Sequence, residues 1–218
     1  MAYSFPTVVQ NFFETLAIQS ALPDLTEDMD LNWNGQGELM TADVGERLWK
    51  MDLTLKSDRY EEVEASRARI QVFRQAGRPF FAHALPMFYP QFDPDGSILG
   101  SVVPTLSAVQ SNMRDIRIAG LPVGYQITAG DFLSFAYSAN PVRYAFHQAV
   151  SNATAGSDGT TGLFEVNTEI RPGFALGADV RLIKPLFKAI ILPGSYRGGM
   201  SMGRMTRDIS FTIQQTLR

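Results

Sequence analysis

Hydrophobic residues alternate with small or polar residues along the segment 121–137, LPVGYQITAGDFLSFAY, and this pattern constrains the fold more than any other feature of the chain. The residues Thr128-Ala129-Gly130-Asp131 supply a turn in its middle. Large side chains occupy every second position on both sides of the turn, namely Leu121, Val123, Tyr125 and Ile127, then Leu133, Phe135 and Tyr137. A period of two on both sides of a Gly-Asp turn predicts an antiparallel β-hairpin with one buried face.

Alternating segments follow one another along most of the chain. Residues 49–56, WKMDLTLK, have the regular alternation of an amphipathic strand. Further strands are predicted at 79–85, 114–119, 122–128, 132–138, 142–150, 163–170, 178–183 and 188–192, and in a C-terminal strand containing Ile209, Phe211 and Ile213. Strands spaced by about 8–12 residues are typical of an all-β sandwich or barrel. Residues 3–20 are compatible with a short helix or with an extended arm.

One helix interrupts the strands. Asp58 with Glu61 three residues later resembles a capping box, and Gly77 followed by Pro79 is typical of a helix end. The sequence therefore predicts a helix at 58–76. Its apolar face contains Tyr60, Val63, Ile70 and Phe73. Its long basic side chains are interpreted as a solvated face rather than a phosphate site, and they are Arg67, Arg69 and Arg74.

Composition excludes several function classes. The net charge of −3 argues against a protein that binds a nucleic-acid backbone, which needs a clustered positive excess. The chain has no cysteine, so disulfides, thiolate nucleophiles and cysteine-based zinc sites are excluded. The N-terminal sequence MAYSFPTVVQNFF predicts no signal peptide, and no apolar run reaches the length of about 18 residues that a membrane helix needs.

Few residues offer catalytic chemistry. The two histidines, His83 and His147, each lie in a strand pattern beside aromatic residues, and both are interpreted as structural. A Ser-His-Asp triad is not excluded by sequence alone, because triad members are rarely adjacent along a chain. The candidate glycosidase carboxylates are Glu38, Asp43 and Glu46, a weak signal in a chain with 22 acidic residues.

Two loop-like segments resemble ligand-binding motifs only in part. Asp93-Pro94-Asp95-Gly96 begins like a calcium loop but lacks the later acidic ligands, so it is interpreted as a turn. Residues 195–206, SYRGGMSMGRMT, lack the Gly-Lys-Ser/Thr ending of a phosphate-binding loop. Methionine and glycine adapt to irregular surfaces, so this segment is predicted to be a mobile loop that orders against a neighbouring subunit.

Several segments, taken in order, resemble the tail proteins of long-tailed bacteriophages and prophages. The first three are FFETLAIQSA, GELMTADVGERLWKMDLTL and EEVEASRARIQVFRQAGRPFFAHAL. The later three are IAGLPVGYQITAGDFLSFAYSANPVRYAFHQAV, LFEVNTEIRPGFALGADVRLIKP and ISFTIQQTL. Each motif is loose by itself, but together they cover nearly the whole chain.

The resemblance implies a distal tail protein or a related tail-tip structural protein. Its expected fold is mostly β, an antiparallel β-sandwich or split barrel with one inserted α-helix and a second small β-barrel. The Pro- and Gly-rich region that begins near residue 86 then opens the inserted barrel, residues 86–183. The first domain consists of residues 1–85 plus 184–218. Family members have no catalytic residues, so no catalytic, cofactor-binding or metal-binding residue and no cofactor is predicted.

The implied function is structural, and the chain is not expected to be an enzyme. Copies of the chain form a ring, a hexamer by resemblance, that joins the tail tube protein to the hub and fibre proteins of the virion. The protein is then made in the bacterial host cytoplasm and located at the phage tail tip, without nucleic-acid binding or membrane insertion. The alternatives are a carbohydrate-binding module that contacts host surface polysaccharide, and a cell-wall hydrolase.

Overall fold

The computed structural model describes residues 3–138 and 140–218. The described residues form antiparallel sheets and one α-helix, with 42% strand and 9% helix, which confirms the predicted mostly β fold. Residues 1, 2 and 139, which the predicted domain ranges include, lie outside the described residues. In the described part of the chain, no helix has the length and apolar character needed to cross a membrane.

The elements are numbered in chain order. Two short 3-10 turns, Val9–Asn11 and Phe13–Thr15, precede the first strand. The strands before the helix are β1 (Ile18–Leu25), β2 (Met29–Trp33), β3 (Leu39–Asp43), β4 (Trp49–Leu55) and β5 (Asp58–Arg59), and the helix is α1 (Tyr60–Phe73). The next are β6 (Phe80–His83), β7 (Thr105–Val109), β8 (Asp115–Ala119), β9 (Gln126–Ile127), β10 (Phe132–Tyr137) and β11 (Arg143–Ala149). The last are β12 (Ala153–Thr154), β13 (Phe164–Asn167), β14 (Val180–Arg181), β15 (Leu186–Ile191), β16 (Arg197–Met202) and β17 (Met205–Gln215).

The first sheet brings the two ends of the chain together. Its strand order is β1-β4-β17-β15-β6, and β5 and β16 also pair with β17. The predicted alternation of β4 is confirmed, because its alternate side chains are buried and the others are exposed or half-buried. The buried ones are Trp49, Met51, Leu53 and Leu55. They form one core with α1 and with the two 3-10 turns, where Phe12 stacks on Phe73 at a centroid distance of 3.8 Å.

The second sheet is a nearly closed barrel of six strands. Its order is β14-β10-β11-β13-β8-β7. The two ends of this order meet where Thr105 bridges Asp179, and Val180 N–H donates to the Pro104 carbonyl at 2.8 Å. The barrel encloses its own hydrophobic core, built from residues between Leu99 and Leu182. The predicted division into residues 1–85 plus 184–218 and an inserted domain 86–183 stays a prediction.

The β10–β11 hairpin contacts both hydrophobic cores. Because successive side chains of a strand point to opposite faces, Leu133 and Phe135 enter the barrel core while Phe132 enters the first core. Phe132 stacks on Phe146 with centroids 5.1 Å apart, and Trp49 meets these rings edge-on at 5.3 and 5.5 Å. The Trp49 indole N–H donates to the Phe146 carbonyl at 2.8 Å. This aromatic cluster joins the barrel to the first sheet.

Residues 84–104 have no regular strand or helix, as their Pro and Gly content predicts, but buried carboxylates fix their path. Asp131, at the start of β10, accepts hydrogen bonds from the N–H of Gln91 at 2.9 Å and of Thr128 at 2.8 Å. Asp93 accepts from the N–H groups of Ile98 and Leu99 at 3.1 and 2.9 Å. The bond from Gln91 to Asp131 therefore ties the connection to the barrel. The bonds to Asp93 fix a turn within the connection.

The predicted hairpin at 121–137 is wrong, although its turn is present. β9 pairs with β12, and β10 pairs with β11 and β14. Gly130 N–H donates to the Ala149 carbonyl and Ala149 N–H donates to the Asp131 carbonyl, both at 2.8 Å. The end of β11 therefore takes the backbone hydrogen bonds beside the turn. A hairpin between β9 and β10 would need those same backbone groups. Alternation shows which side chains share a face, but it does not show which strand is the partner.

The helix is shorter than the predicted 58–76. Asp58 belongs to β5, where it pairs with Thr206, and its carboxylate accepts only from the adjacent Arg59 N–H at 2.7 Å. The helix begins at Tyr60 without a side-chain cap and ends at Phe73, so Gly77 lies beyond the helix end. Sheet pairing by β5 takes precedence over the local capping pattern. Tyr60 is exposed, whereas the other members of the predicted face, Val63, Ile70 and Phe73, are buried.

Removal of one ring of the aromatic cluster tests the junction. We expect Phe146→Ala to lower the free energy of unfolding by about 3–5 kcal/mol, because a buried ring leaves a cavity. Val142, which is 47% exposed, is the matched control, and Val142→Ala is expected to stay within about 0.5 kcal/mol of wild type. Urea denaturation measures both values. Equal effects of the two substitutions would contradict the described junction.

A second pair of substitutions tests the helix boundary. Ile70→Ala is expected to cost about 2–5 kcal/mol, because the side chain is fully buried against the first core. Asp58→Ala is expected to change stability by less than about 0.5 kcal/mol, since the carboxylate caps no helix. Urea denaturation distinguishes these outcomes. A loss of about 1 kcal/mol from Asp58→Ala is typical of a lost helix cap. That result would support the predicted helix start at residue 58 and contradict the observed boundary.

Candidate functional site

The β2–β3 ribbon extends beyond the first sheet, and we call residues 27–46 the acidic hairpin. Asn34 and Gly35 begin its turn, in which the Asn34 side-chain oxygen accepts from the N–H of Gln36 at 3.0 Å and of Glu38 at 2.9 Å. Every residue of both strands is exposed. The range contains six acidic side chains and no Lys or Arg. Alternation around Asn-Gly is the sequence signal of such a hairpin, but it gives no sign of the exposure.

One face of the acidic hairpin carries most of its large apolar side chains, together with Thr41 and Asp43. The register pairs Trp33 with Leu39 and Met29 with Asp43, so side chains at alternate positions share a face. The large apolar side chains of this face are Met29, Leu31, Trp33 and Leu39, and all four are exposed. Trp33 is 70% exposed. A two-stranded hairpin in water is at best marginally stable by itself, so this face is a candidate contact surface.

A second exposed hairpin is formed by β16 and the start of β17, and we call residues 197–210 the methionine hairpin. The segment was predicted to be a mobile loop, and that prediction is wrong, because Met202 pairs with Met205 across a two-residue turn. The exposed side chains of this hairpin include Met200, Met202 and Met205. Three arginines and one acidic residue, Asp208, lie in the range. Its composition is therefore apolar and basic.

Helix α1 supports the base of the methionine hairpin. Arg67 forms an ion pair with Glu64 and donates to the Gly198 carbonyl at 2.7 Å. The Arg74 guanidinium lies over the Tyr196 ring, 4.5 Å from its centroid. The predicted solvated face is therefore wrong for Arg67, which is half-buried and binds the hairpin backbone. Sequence spacing could not show this contact, because the partner lies 131 residues away.

The two hairpins lie at opposite ends of the first sheet. The acidic hairpin connects Leu25 to Trp49, which pair with each other at one end of β1 and β4. In β17, Gln214 pairs with Lys50 near this end, whereas Ser210 pairs with Thr54 at the other end of β4. The turn of the methionine hairpin precedes Ser210, so it extends past the far end of β4. One chain thus presents an acidic apolar surface and a basic apolar surface at two ends.

His83 is a buried residue of β6. Its ring lies between Phe13 and Phe88, with centroid distances of 5.1 and 4.9 Å. Its Nε2 is 3.6 Å from Glu14 Oε1, to which Lys184 donates at 3.0 Å. Burial lowers the pKa of His83 to about 4, an effect that Glu14 opposes and Lys184 reinforces. The ring is therefore neutral at pH 7.

His147 is fully buried in the barrel core. Its ring stacks on Phe135 at 5.7 Å, and its Nδ1 is 3.3 Å from the Thr168 hydroxyl. Burial, followed by the positive charge of Arg171, lowers the pKa of His147 to about 4. Each histidine is thus packed against aromatic rings in a different core. This placement agrees with the interpretation of both residues as structural.

The candidate carboxylates are only partly brought together. Glu38 contributes to the turn of the acidic hairpin, where it accepts from the Asn34 amide at 3.1 Å. Asp43 and Glu46 line a cleft of about 550 Å³ beside the barrel. There Glu46 accepts from Arg171 Nε at 2.7 Å, and the carboxylate of Glu169 accepts from Arg114 at 3.1 Å. The carboxylates of Glu46 and Glu169 are therefore held in ion pairs.

The Asp93–Gly96 segment is a turn, as interpreted from sequence. Asp93 is buried, and its carboxylate accepts from two backbone N–H groups rather than pointing to an open loop. Gly96 N–H donates to the Asp93 carbonyl at 3.1 Å and closes the turn. Across residues 3–138 and 140–218, no group of three or more His, Asp or Glu side chains is placed to hold a metal ion.

Comparison with known proteins returns no relative: no family model matches the chain, and no curated protein sequence matches it. The two hairpins are therefore identified as candidate contact surfaces from the structure alone. The sequence missed the exposed apolar face, because hydrophobic side chains in a strand pattern are read as buried.

The buried histidines predict an acid-sensitive stability. Each has a pKa near 6.5 when unfolded and about 4 when folded, so the unfolded chain binds more protons between these values. The free energy of unfolding is therefore expected to fall as the pH decreases from about 6.5 towards 4. Denaturation at several pH values measures the slope. The double variant His83→Gln/His147→Gln should have a shallower slope between about pH 7 and 5, and an unchanged slope would contradict the assignment.

Proposed function

We propose that this chain is a structural protein of the virion at the distal end of a phage tail. Its copies form a ring, a hexamer by family resemblance, between the tail tube and the hub and fibre proteins. The motifs that resemble phage tail proteins occur in order along nearly the whole chain, and the β-rich fold with one helix agrees with what that resemblance implies. The resemblance and the fold together support a structural role in tail assembly.

The observation that carries the proposal is the acidic hairpin with its uncovered apolar face. Large exposed apolar surfaces commonly mark sites of protein–protein contact. Here they lie on β-hairpins at both ends of one sheet, which suits a subunit that has a neighbour on each side. Repeated contacts between two different surfaces give a closed ring when the rotation between subunits closes.

The carbohydrate-binding alternative has weaker support. Sugar recognition uses exposed aromatic rings as flat platforms, and the predicted place for them is the barrel. The exposed large apolar side chains described in residues 86–183 are aliphatic, such as Val123, Val142 and Leu176. The exposed Trp33 lies on the acidic hairpin instead. The barrel surface is therefore better suited to packing than to stacking on sugar rings.

The hydrolase alternative depends on the cleft beside Glu46. A carboxylate pair that cleaves glycosides needs one acid and one base on either side of the bond, separated by about 5–9.5 Å. Here Glu46 binds Arg171 and Glu169 binds Arg114. Each of these two carboxylates therefore has one oxygen held in an ion pair with a guanidinium. The cleft therefore gives this alternative less support than the hairpins give to the ring.

Gold labelling of tails tests the proposed function. Particles are induced from the bacterium that carries the gene, with an epitope tag inserted after Gly156, in a turn of the barrel. We expect gold particles at one end of each tail, because a distal ring occurs once per tail. Deletion of the gene should give particles without tip structures, as seen by negative-stain electron microscopy.

Two results would contradict the proposal. Label along the whole tube, or label absent from purified tails, would exclude a distal position. A clear band in cell-wall zymography that Glu46→Gln abolishes would favour the hydrolase. The matched control is Glu38→Gln, a carboxylate outside the cleft, which should behave like wild type in zymography.

A further inference from the structure

We propose that the acidic hairpin of one copy docks on the methionine hairpin of the next copy of this chain. The inference rests on the proposed function, because it names the contact between neighbouring subunits of the ring. Three independent features of the described residues carry it: apolar surface, charge and position in the sheet.

The apolar surfaces of the two hairpins match in kind. The acidic hairpin presents Leu31 and Trp33 on a face that is exposed to solvent. The methionine hairpin presents Met200 and Met202, which are more than half exposed. Methionine side chains are flexible and polarizable, and they make favourable contacts with aromatic rings. A tryptophan face against a methionine face therefore buries both surfaces without requiring rigid complementarity.

The charges of the two hairpins are opposite. Residues 27–46 contain six acidic side chains and no basic one, and Glu46 is the one already paired with Arg171. Residues 197–210 contain three arginines and one acidic side chain, Asp208, and are therefore net positive. Opposite potentials across an interface accelerate association and fix the partner and the register. Two copies of the same hairpin would instead bring like charges together, so contacts between identical hairpins are disfavoured.

The positions of the two hairpins mean that a contact between them must join two copies of the chain. They extend from opposite ends of β4, a strand of seven residues, which at about 3.3 Å per residue separates them by about 20 Å. The acidic hairpin therefore reaches the methionine hairpin of a neighbour rather than that of its own chain. The contact joins two different surfaces and leaves one of each free at the ends of any open chain of subunits. Closure of the ring covers both.

Charge reversal of each hairpin tests the proposal in the full chain. The variants are Asp30→Lys/Asp43→Lys and Arg204→Glu/Arg207→Glu, all at exposed positions. We expect each to raise the dissociation constant for self-association by about 100-fold or more, because each substitution replaces an opposite charge at the contact with a like one. Light scattering with size-exclusion chromatography measures the mass. The matched control, Glu165→Lys/Arg181→Glu, reverses exposed charges on the barrel and should assemble as wild type does.

Complementation supplies the decisive measurement. A mixture of the two reversed variants restores opposite charges at the substituted positions of every contact only if the two proteins alternate. We expect rings with an even number of subunits and equal amounts of both variants, measured by native mass spectrometry. A single chain that carries all four substitutions should also assemble with itself. Variants that merely misfold would restore assembly in neither experiment.

Trp33→Ser tests the apolar part of the contact. We expect loss of self-association, whereas Val123→Ser, at a residue of similar exposure on the barrel, should keep it. A wild-type chain that stays monomeric at about 100 µM, assembly that survives both charge reversals, or reversed variants that do not complement each other would overturn the pairing of hairpins. If gold still labels the tail ends in those cases, the proposed function stands and another tail protein covers the hairpins.

Discussion

The contact between Trp49 and the β10–β11 hairpin is the interaction on which the rest of the structure depends. It places one indole against two phenylalanine rings and ends in a hydrogen bond from the indole N–H to the Phe146 carbonyl. Burial of an aromatic side chain contributes about 1.5–3 kcal/mol, so three such side chains outweigh any single surface ion pair. The Ser134 hydroxyl oxygen adds a polar contact, because it accepts from the Leu186 N–H at 2.9 Å. The barrel is therefore fixed to the sheet through its own strands rather than through a linker.

This arrangement explains which parts of the fold could be read from the sequence. β4 lies at the surface of one core, so its side chains alternate between buried and accessible, and the pattern predicted it correctly. β10 has five buried residues out of six, because it separates two cores. Its aromatic residues on both faces follow from that position, whereas the alternation along residues 121–137 predicted a hairpin with a single buried face. The partner of a strand depends on contacts far along the chain, which alternation does not record.

For the two hairpins of the candidate site, the sequence gives the residue content but not the exposure or the contacts. Asn34-Gly35 is a local turn signal that favours a hairpin, whereas the Gly- and Met-rich segment 195–206 was predicted to be a loop and forms a hairpin instead. Whether Trp33 points to a core or to solvent depends on how far the ribbon extends past the end of β4, and this is a property of the whole sheet. The Glu46–Arg171 ion pair joins residues 125 positions apart. In the same way, the burial that lowers the pKa of His83 and His147 comes from rings contributed by other segments.

The chain has two tryptophans, and their surroundings could hardly differ more. Trp49 is 3% exposed in the junction between the cores, whereas Trp33 is 70% exposed on the acidic hairpin. Indole fluorescence shifts to shorter wavelength in a dry apolar environment and to longer wavelength in water. Each tryptophan therefore serves as an intrinsic optical probe of a separate event, Trp49 of barrel detachment and Trp33 of contact with another molecule. With Trp33→Phe, the Trp49 signal can be recorded alone without any added dye.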